Sequence, residues 1–222
     1  MEKREIKRIV GKNNATIFEI GCADGIDTQE FVNEFGKDLI LHCFEPDPRN
    51  CKVFLEGGYR PINPSFTLPV EGCKIFFNQL AVGKIDGRIK MYQTSTIYSS
   101  SIKKPEGILF ETWPSIEIKD ELEVECVSLD HYVEKNEIGL IDFIWADIQG
   151  AEDYLILGGK KTFFDKVRYF YTEYAKNENS KYYENSPLKE DIKKLLGDDW
   201  EIIGDNGSDI LLVNKKLIYD SN

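Results

Sequence analysis

Two glycines directly after an apolar run predict a turn on which a nucleotide can lie. Gly21 and Gly25 follow the apolar run 15–18, and glycine lets the backbone approach a ligand without a Cβ in the way. A second apolar run, 39–44, is followed by Glu45. If the two runs are parallel neighbouring strands, this carboxylate can accept hydrogen bonds from both hydroxyls of a ribose. The spacing therefore predicts a site for a nucleotide-type cofactor.

The charge of the glycine turn distinguishes between two cofactor classes. A dinucleotide site usually has three glycines that bring a pyrophosphate to a helix N-terminus, whereas this turn has two glycines and carries Asp24. An acidic turn repels a pyrophosphate and attracts a cation. S-adenosylmethionine carries a sulfonium and an ammonium group, so the sequence favours this methyl donor over NAD. An NAD-dependent oxidoreductase and a non-catalytic binding protein stay open as alternatives.

The residues predicted to contact the cofactor lie in or after the strands, because ligands of open α/β sheets bind beyond the carboxyl ends of the strands. They are Glu19, Gly21, Asp24, Gly25, Glu45, Pro46, Asn78, Gln79, Ala81, Ser101 and Asp147. We expect Asn78 and Gln79 to lie near the adenine, where a side-chain amide can bind the edge of the base.

Asp147 and Glu173 are the predicted catalytic carboxylates, since each follows an apolar strand, 141–146 and 167–171. Methyl transfer from a sulfonium requires an aligned acceptor and removal of its proton, and Asp147 is the first candidate for that role. A helix N-cap on 151–163 is the structural alternative for Asp147. The two carboxylates with water would also suit Mg²⁺ or Mn²⁺, but the sequence does not establish a metal.

Further motifs follow the glycine turn in a consistent order. They are Phe44-Glu45-Pro46, Leu80 to Gly83 with Asp86-Gly87, Ser128-Leu129-Asp130, Asp147 to Glu152, and Glu173. With these motifs, which cover about residues 15–175, the chain resembles the FkbM family of S-adenosylmethionine-dependent methyltransferases. The resemblance implies O-methylation of a small hydroxylated acceptor, such as a sugar of a surface glycan or a secondary metabolite.

The chain departs from the family pattern at two positions, and two tyrosines are candidates for contact with the acceptor. The family usually has lysine where this chain has Trp145, and aspartate where it has Glu19. The role of that lysine is therefore in doubt here. Tyr182 and Tyr183 lie among polar residues, where they can either stack on a sugar ring or pack against protein.

Composition excludes several classes of partner. The net charge is -11, from 28 basic and 39 acidic residues, whereas nucleic-acid binding depends on basic residues that neutralise phosphates. We therefore expect no nucleic-acid partner.

The sequence shows no long apolar stretch and no apolar signal segment at its start, which predicts a cytoplasmic protein without membrane insertion. Five cysteines without C-x-x-C spacing are expected to be buried thiols.

Apolar strands that alternate with helical segments predict one α/β domain over 1–222 with a doubly wound, Rossmann-like methyltransferase fold and a mostly parallel sheet. The predicted strands lie near 15–20, 39–44, 73–77, 122–127, 141–147, 167–173, 200–204 and 209–214. The predicted helices cover about 2–10, 25–36, 48–56, 129–136, 151–163 and 187–197. Asn206-Gly207 predicts a C-terminal antiparallel hairpin. Irregular connections are expected at 57–72 and 93–118.

Overall fold

The computed structural model describes residues 1–56 and 72–219. The expected connection 57–72 lies outside the described residues, except for Gly72. The strands are β1 Thr16–Ile20, β2 Ile40–Phe44, β3 Lys74–Asn78, β4 Ala81–Gly83, β5 Gly87–Thr94, β6 Ile118–Ser128, β7 Ile141–Ala146, β8 Val167–Glu173, β9 Trp200–Asp205 and β10 Asp209–Asn214. The helices are α1 Lys3–Val10, α2 Ile26–Phe35, α3 Pro48–Glu56, α4 Gly107–Thr112, α5 Leu129–Lys135, α6 Glu152–Gly158, α7 Lys160–Asp165, α8 Lys189–Leu196 and α9 Lys215–Tyr219.

Seven strands form the main sheet in the order β3-β2-β1-β7-β8-β10-β9. The first five of these pair in parallel, and β10 pairs antiparallel with both β8 and β9. The predicted mostly parallel, doubly wound sheet with an antiparallel C-terminal hairpin is thereby confirmed. The strand order reverses between β1 and β7, so the carboxyl ends of these two strands mark the expected ligand site.

The main sheet is apolar on both faces, because alternate residues of a strand point to opposite sides. In β1, Phe18 and Ile20 belong to one buried cluster, while Ile17 packs in the other with Phe31 of α2. Glu19 is also fully buried in this strand. All five cysteines are buried free thiols, as predicted. No helix among the described residues has the length and apolarity to cross a bilayer.

A second sheet, in the order β4-β6-β5, was missed apart from the predicted strand 122–127, which forms part of β6. The expected irregular stretch 93–118 contains the end of β5, the helix α4 and the start of β6. β5 escaped detection because its exposed face carries charged residues, and Arg88 and Lys90 pair across the strands with acids of β6. A search for alternating apolar residues along the sequence does not detect side chains that pair between two strands.

The predicted helix 151–163 is two shorter helices, α6 and α7, that meet at Gly158 and Gly159. A Cβ at Gly158 would overlap the carbonyl oxygen of Gly83 in β4. Gly158 therefore lets the second sheet pack closely against α6, while a Cβ at Gly159 would lie 2.7 Å from the Leu129 side chain of α5.

Candidate active site

The glycine turn brings the ends of β1 and β7 into contact. The backbone N–H groups of Gly21 and Cys22 both donate to the carbonyl of Phe44, at 2.9 Å and 3.0 Å. Gly21 has a φ of 88°, and a Cβ there would overlap the carbonyl oxygen of Asp147. Gly25 has a φ of 84° at the start of α2, where a Cβ would lie 2.9 Å from the ring of Phe54. Both positions require glycine for steric as well as conformational reasons.

A cleft, which we call the Gly21 cleft, opens between the carboxyl ends of β1, β2 and β7 and is bordered by the segment 97–102. Six of the residues predicted to contact the cofactor line it: Gly21, Glu45, Pro46, Ala81, Ser101 and Asp147. These six predicted residues are thus brought together at the switch point of the sheet, and their contact with a cofactor stays a prediction.

Glu45 is buried but keeps acceptor capacity towards the Gly21 cleft. Its Oε2 accepts from the N–H of Ala23 at 2.9 Å and its Oε1 from the N–H of Asp47 at 2.7 Å. A carboxylate oxygen can accept two hydrogen bonds, so Glu45 can accept further ones beside these two backbone contacts, and the Asn50 side chain is one donor that acts on it. Burial raises the pKa of Glu45 to about 7, and donors from a ligand would favour its ionised form.

Two of the predicted cofactor carboxylates do not line the Gly21 cleft. Glu19 lies in the core, where Thr28 Oγ1 donates to its Oε2 at 2.6 Å, and burial raises its pKa to about 8. Asp24 is 3% exposed, and its Oδ2 accepts from the hydroxyl of Tyr98 at 3.0 Å. The acidic turn thus holds the segment 97–102 across the cleft, a contact that local sequence cannot reveal.

The three other residues outside the cleft lining are Gly25, Asn78 and Gln79. Asn78 Nδ2 donates to the carbonyl of Cys43 at 3.1 Å, and Tyr132 donates to Asn78 Oδ1 at 3.2 Å. These contacts tie β3 to β2 and α5. Gln79 is exposed. Leu80 and Ala81, which follow Gln79 in the chain, do line the Gly21 cleft.

A second cleft, the Glu173 cleft, adjoins the first. It consists of two hollows that share Trp113, Gln149, Glu173 and Tyr182. The rings of Trp113 and Tyr182 lie 4.9 Å apart between centroids, and Trp113 is 44% exposed. Gln149 lines both this cleft and the Gly21 cleft, so the two clefts meet at this residue.

The predicted catalytic pair spans the two clefts, with Asp147 in the Gly21 cleft and Glu173 in the Glu173 cleft. Asp147 Oδ1 accepts from Gln149 Nε2 at 2.6 Å. No hydrogen bond or ion pair to the Glu173 side chain comes from the described part of the chain. Glu173 is half-buried at the wall of the cleft, so its oxygens face the space that a ligand would occupy.

Asp147 and Glu173 have different pKa values, so the two carboxyl groups can take different chemical roles. Burial raises the pKa of Asp147 to about 6 and that of Glu173 to about 9, and the negative charge of Asp147 adds to the shift at Glu173. Both carboxyls are harder to ionise than in water, and Glu173 more so, which makes Asp147 the more readily ionised of the two. Glu152, which lines the same cleft as Glu173, has its pKa raised to about 7 by burial.

The N-cap alternative for Asp147 is wrong. Helix α6 begins at Glu152 with Ala151 at the N-cap position and no side-chain cap. Glu152 itself is 1% exposed, and its Oε1 accepts from the N–H of Gly150 at 3.2 Å. Asp147 is thus free of a role in starting the helix.

The described residues give no support for a metal site. Within ranges 1–56 and 72–219, no group of three or more His, Cys, Asp or Glu side chains could hold a metal ion. Asp147 and Glu173 have no third ligand among them, and two protein carboxylates alone are a sparse donor set for Mg²⁺ or Mn²⁺.

Trp145, which stands where relatives usually have lysine, packs in the core. Its ring stacks on Tyr171 with centroids 4.5 Å apart, and the buried Lys3 Nζ lies 3.3 Å from the centroid of its ring. Lys3 Nζ also donates to Asp27 at 2.7 Å. The tryptophan therefore fills space between β7, α1 and α2 and does not line either cleft.

Sequence reasoning missed Gln149, Tyr98 and Trp113 as residues that line the clefts. Gln149 carried one usable signal, since it is a polar residue between a strand-end aspartate and a glycine. Tyr98 and Trp113 carried none, because both lie in a segment without periodicity that folds over the sheet from elsewhere in the chain.

The buried carboxyls predict how stability depends on pH. The folded pKa values of Glu19, Glu45, Glu152 and Glu173 all lie above the ordinary value of 4.5. The folded protein then holds protons that the unfolded chain has released, so the free energy of unfolding falls as pH rises towards these values. We expect Tm to fall from about pH 5, just above the ordinary pKa of these carboxyls, to about pH 9, where the last of them ionises in the folded protein.

Glu173→Gln, which mimics the protonated carboxyl, should flatten part of this dependence and raise Tm at about pH 9. The exposed Glu134→Gln serves as the control and should leave the slope unchanged. Thermal unfolding followed by circular dichroism measures both. A Tm that rises with pH across this window would contradict the protonation of the buried carboxyls.

Comparison with known proteins agrees with this architecture. Residues 13–200 match the family model described as the methyltransferase FkbM domain. The 2-O-methyltransferase NoeI of Sinorhizobium fredii (strain NBRC 101917 / NGR234) is 31% identical over 182 residues, which cover 79% of this chain and 69% of that protein.

Among solved structures, the methyltransferase FkbM of Methylobacillus flagellatus KT matches with a TM-score of 0.54 and 12% identity. The match covers 91% of this chain and 44% of that one, so this chain spans less than half of that protein's length. At this identity the likeness concerns the fold alone. The family model and the 31% identical relative together carry the assignment. The chain belongs to the FkbM family of methyltransferases.

Proposed function

We propose that the protein is an S-adenosylmethionine-dependent O-methyltransferase that acts on a hydroxyl of a small acceptor, a saccharide in the first instance. The observation that carries the proposal is the meeting of two clefts at Gln149, whose side-chain amide donates a hydrogen bond to Asp147. One cleft has the features of a nucleotide site, and the other combines aromatic rings with carboxyl groups.

The residues of the Gly21 cleft fit S-adenosylmethionine. Gly21 leaves the floor of the cleft open, and Glu45 keeps lone pairs for the two hydroxyls of a ribose. Leu80 and Ile102 offer apolar surface to an adenine, while Asp147 offers negative charge to the cationic end of the cofactor. Bound there, S-adenosylmethionine would supply an electrophilic methyl group. The family supports this cofactor over NAD, so the oxidoreductase alternative loses its basis.

The carboxyl pair can handle the acceptor. Asp147 has the lower pKa of the two, so at neutral pH it is the group that can accept the proton of an acceptor hydroxyl. Glu173 holds a proton and can donate a hydrogen bond to an acceptor oxygen. The two predicted catalytic carboxylates thereby take different roles, with Asp147 as the base and Glu173 as a hydrogen-bond donor.

The lining of the Glu173 cleft supports a saccharide acceptor. Trp113 and Tyr182 offer aromatic faces on which a sugar ring can stack, and Glu152 and Glu173 offer hydrogen bonds to its hydroxyls. Tyr183, the other candidate, is 3% exposed and contributes mainly its hydroxyl. The name of the relative, a 2-O-methyltransferase, agrees with transfer to an oxygen.

Two measurements test the proposal. Calorimetric titration should show binding of S-adenosylmethionine and none of NAD. Incubation with methyl glycosides of common hexoses and deoxyhexoses should release S-adenosylhomocysteine. Tighter binding of NAD would restore the oxidoreductase, whereas cofactor binding without turnover on any hydroxylated acceptor would favour the non-catalytic alternative.

Glu45→Ala should weaken binding of S-adenosylmethionine by about tenfold to a hundredfold, because two ribose hydroxyls lose a charged acceptor. Calorimetry measures the affinity, and thermal unfolding verifies that the variant folds. Glu134→Ala, on the exposed side of α5, is the control and should bind normally. Unchanged affinity in a folded Glu45→Ala protein would remove the ribose assignment.

A further inference from the structure

Gln149 occupies an unusual position in the backbone. Its φ is 54°, in the left-handed region that is unfavourable for residues other than glycine, asparagine and aspartate. Gly150 follows with a φ of 89°, so the chain makes a tight left-handed turn between β7 and α6. Strained backbone of this kind persists where surrounding contacts determine it, and it is common at functional sites.

The side-chain amide of Gln149 has a partner in each cleft. Its Nε2 donates to Asp147 Oδ1 at 2.6 Å, and its Oε1 accepts from the hydroxyl of Tyr183 at 2.8 Å. The opposite amide orientation would place Oε1 against the carboxylate of Asp147, so the contacts allow one orientation while Asp147 is ionised. The backbone carbonyl of Gln149 also accepts from Ser101 Oγ at 2.8 Å.

Tyr183 extends this chain of hydrogen bonds to the segment that borders the Gly21 cleft. Its hydroxyl lies 3.0 Å from the carbonyl oxygen of Ser99 and 2.8 Å from Gln149 Oε1. A hydroxyl has one proton, so these two acceptors compete for it. Gln149 is therefore the link between Asp147 in one cleft and Tyr183 beside the other.

We propose that Gln149 is a positioning residue for methyl transfer, which orients the Asp147 carboxylate through its amide and ties that carboxylate to Tyr183 beside the acceptor. The inference rests on the proposed function. It extends that function, because Gln149 is assigned neither to cofactor binding nor to acceptor binding. Its role is to fix the position of the Asp147 carboxylate at the place where the methyl group is transferred.

The charges around Asp147 explain why the hydrogen bond from the Gln149 amide is important for the ionisation of Asp147. Five charged or titratable groups from separate elements act on it: Lys3 of α1, Asp27 of α2, Glu152 of α6, Glu173 of β8 and Asp209 of β10. Four of the five are acids, which disfavour a negative Asp147 when ionised. The Gln149 hydrogen bond and the charge of Lys3 favour the ionised form, and they lower the pKa of Asp147 against the larger effect of burial.

The test uses S-adenosylmethionine alone as the probe, so it needs no knowledge of the acceptor. Its affinity is measured by calorimetry between about pH 5 and about pH 7.5, where protonation of Asp147 should weaken the binding of a cation. In the wild-type protein the affinity should fall on the acid side. Loss of the Gln149 hydrogen bond should move this fall to higher pH by about one unit.

Two variants separate the hydrogen bond from backbone strain. Gln149→Asn suits the left-handed backbone at least as well as glutamine, so it should fold with an unchanged or higher Tm. Its amide is one methylene shorter and should not reach Asp147, so the acid limb should shift. Gln149→Leu removes the amide and should show the full shift. Gln29→Leu on α2 is the matched control, in which the limb should stay in place.

Each result decides between the hypotheses. A shifted acid limb in both Gln149 variants, with a normal limb in Gln29→Leu, supports the positioning role. A wild-type limb in folded Gln149→Asn and Gln149→Leu proteins would overturn it and leave the proposed function intact. Failure of the wild-type protein to bind S-adenosylmethionine at any pH would instead count against the proposed function.

Discussion

The Asp147→Asn protein is expected to fold normally and to lose turnover by about a hundredfold or more, because it lacks the carboxylate that accepts the proton of the acceptor. Asp147 does not cap α6, so the substitution removes no helix-stabilising contact. Asparagine also removes a sheltered charge whose raised pKa shows that burial opposes ionisation. Production of S-adenosylhomocysteine and Tm, measured on the same preparation, test both parts of this expectation.

The control for Asp147→Asn is Asp165→Asn, at an exposed aspartate on α7 that pairs with Lys216. It should retain full turnover. Repeating the assay after EDTA, and again after addition of Mg²⁺ or Mn²⁺, separates a base from a metal ligand. Turnover that survives EDTA but not the mutation leaves Asp147 as a base or an orienting carboxylate. Full turnover in a stable Asp147→Asn protein would contradict the catalytic assignment.

Gly21→Ala is expected to abolish measurable binding of S-adenosylmethionine and to lower Tm. The new Cβ would overlap the carbonyl oxygen of Asp147, so the ends of β1 and β7 must separate. Both the floor of the Gly21 cleft and the position of Asp147 would change. Calorimetry and thermal unfolding measure the two effects.

Gly11→Ala is the matched control for this substitution. Gly11 also has a positive φ, of 71°, but a Cβ there has no heavy atom within 4 Å in the described structure. The two variants share the cost of a left-handed alanine, and only Gly21→Ala adds the overlap. If both lose the same Tm and both bind the cofactor, the close approach of Asp147 to Gly21 does not matter for the site.

Local signals were sufficient for the main sheet and for six of the residues that line the Gly21 cleft. The apolar runs that became β1, β2, β7 and β8 are continuous because parallel strands are buried on both faces. Asn206-Gly207 revealed the hairpin through the backbone that such a turn needs. Gly21 and Glu45 were identifiable because their roles depend on residue type and on adjacency to a strand end.

The second sheet and the segment 97–102 that borders the Gly21 cleft were not identifiable from local signals. β5 is held to β6 by antiparallel backbone pairing, with exposed ion pairs across the two strands, and the segment 97–102 is held by Asp24 and Gln149 through Tyr98 and Ser101. Such contacts join residues far apart in the chain. No local pattern of apolar residues encodes them.

Residue type and spacing predicted Asp147 and Glu173 as catalytic carboxylates, and Glu19 and Asp24 as contacts of the cofactor. Folding gives them different chemistry. Glu19 becomes a buried core group, Asp24 becomes a hydrogen-bond acceptor for Tyr98, and burial raises the pKa of Glu173 further above its ordinary value than that of Asp147. The pKa of a carboxyl depends on the water it loses and on the charges brought beside it, and both are set by packing between distant parts of the chain.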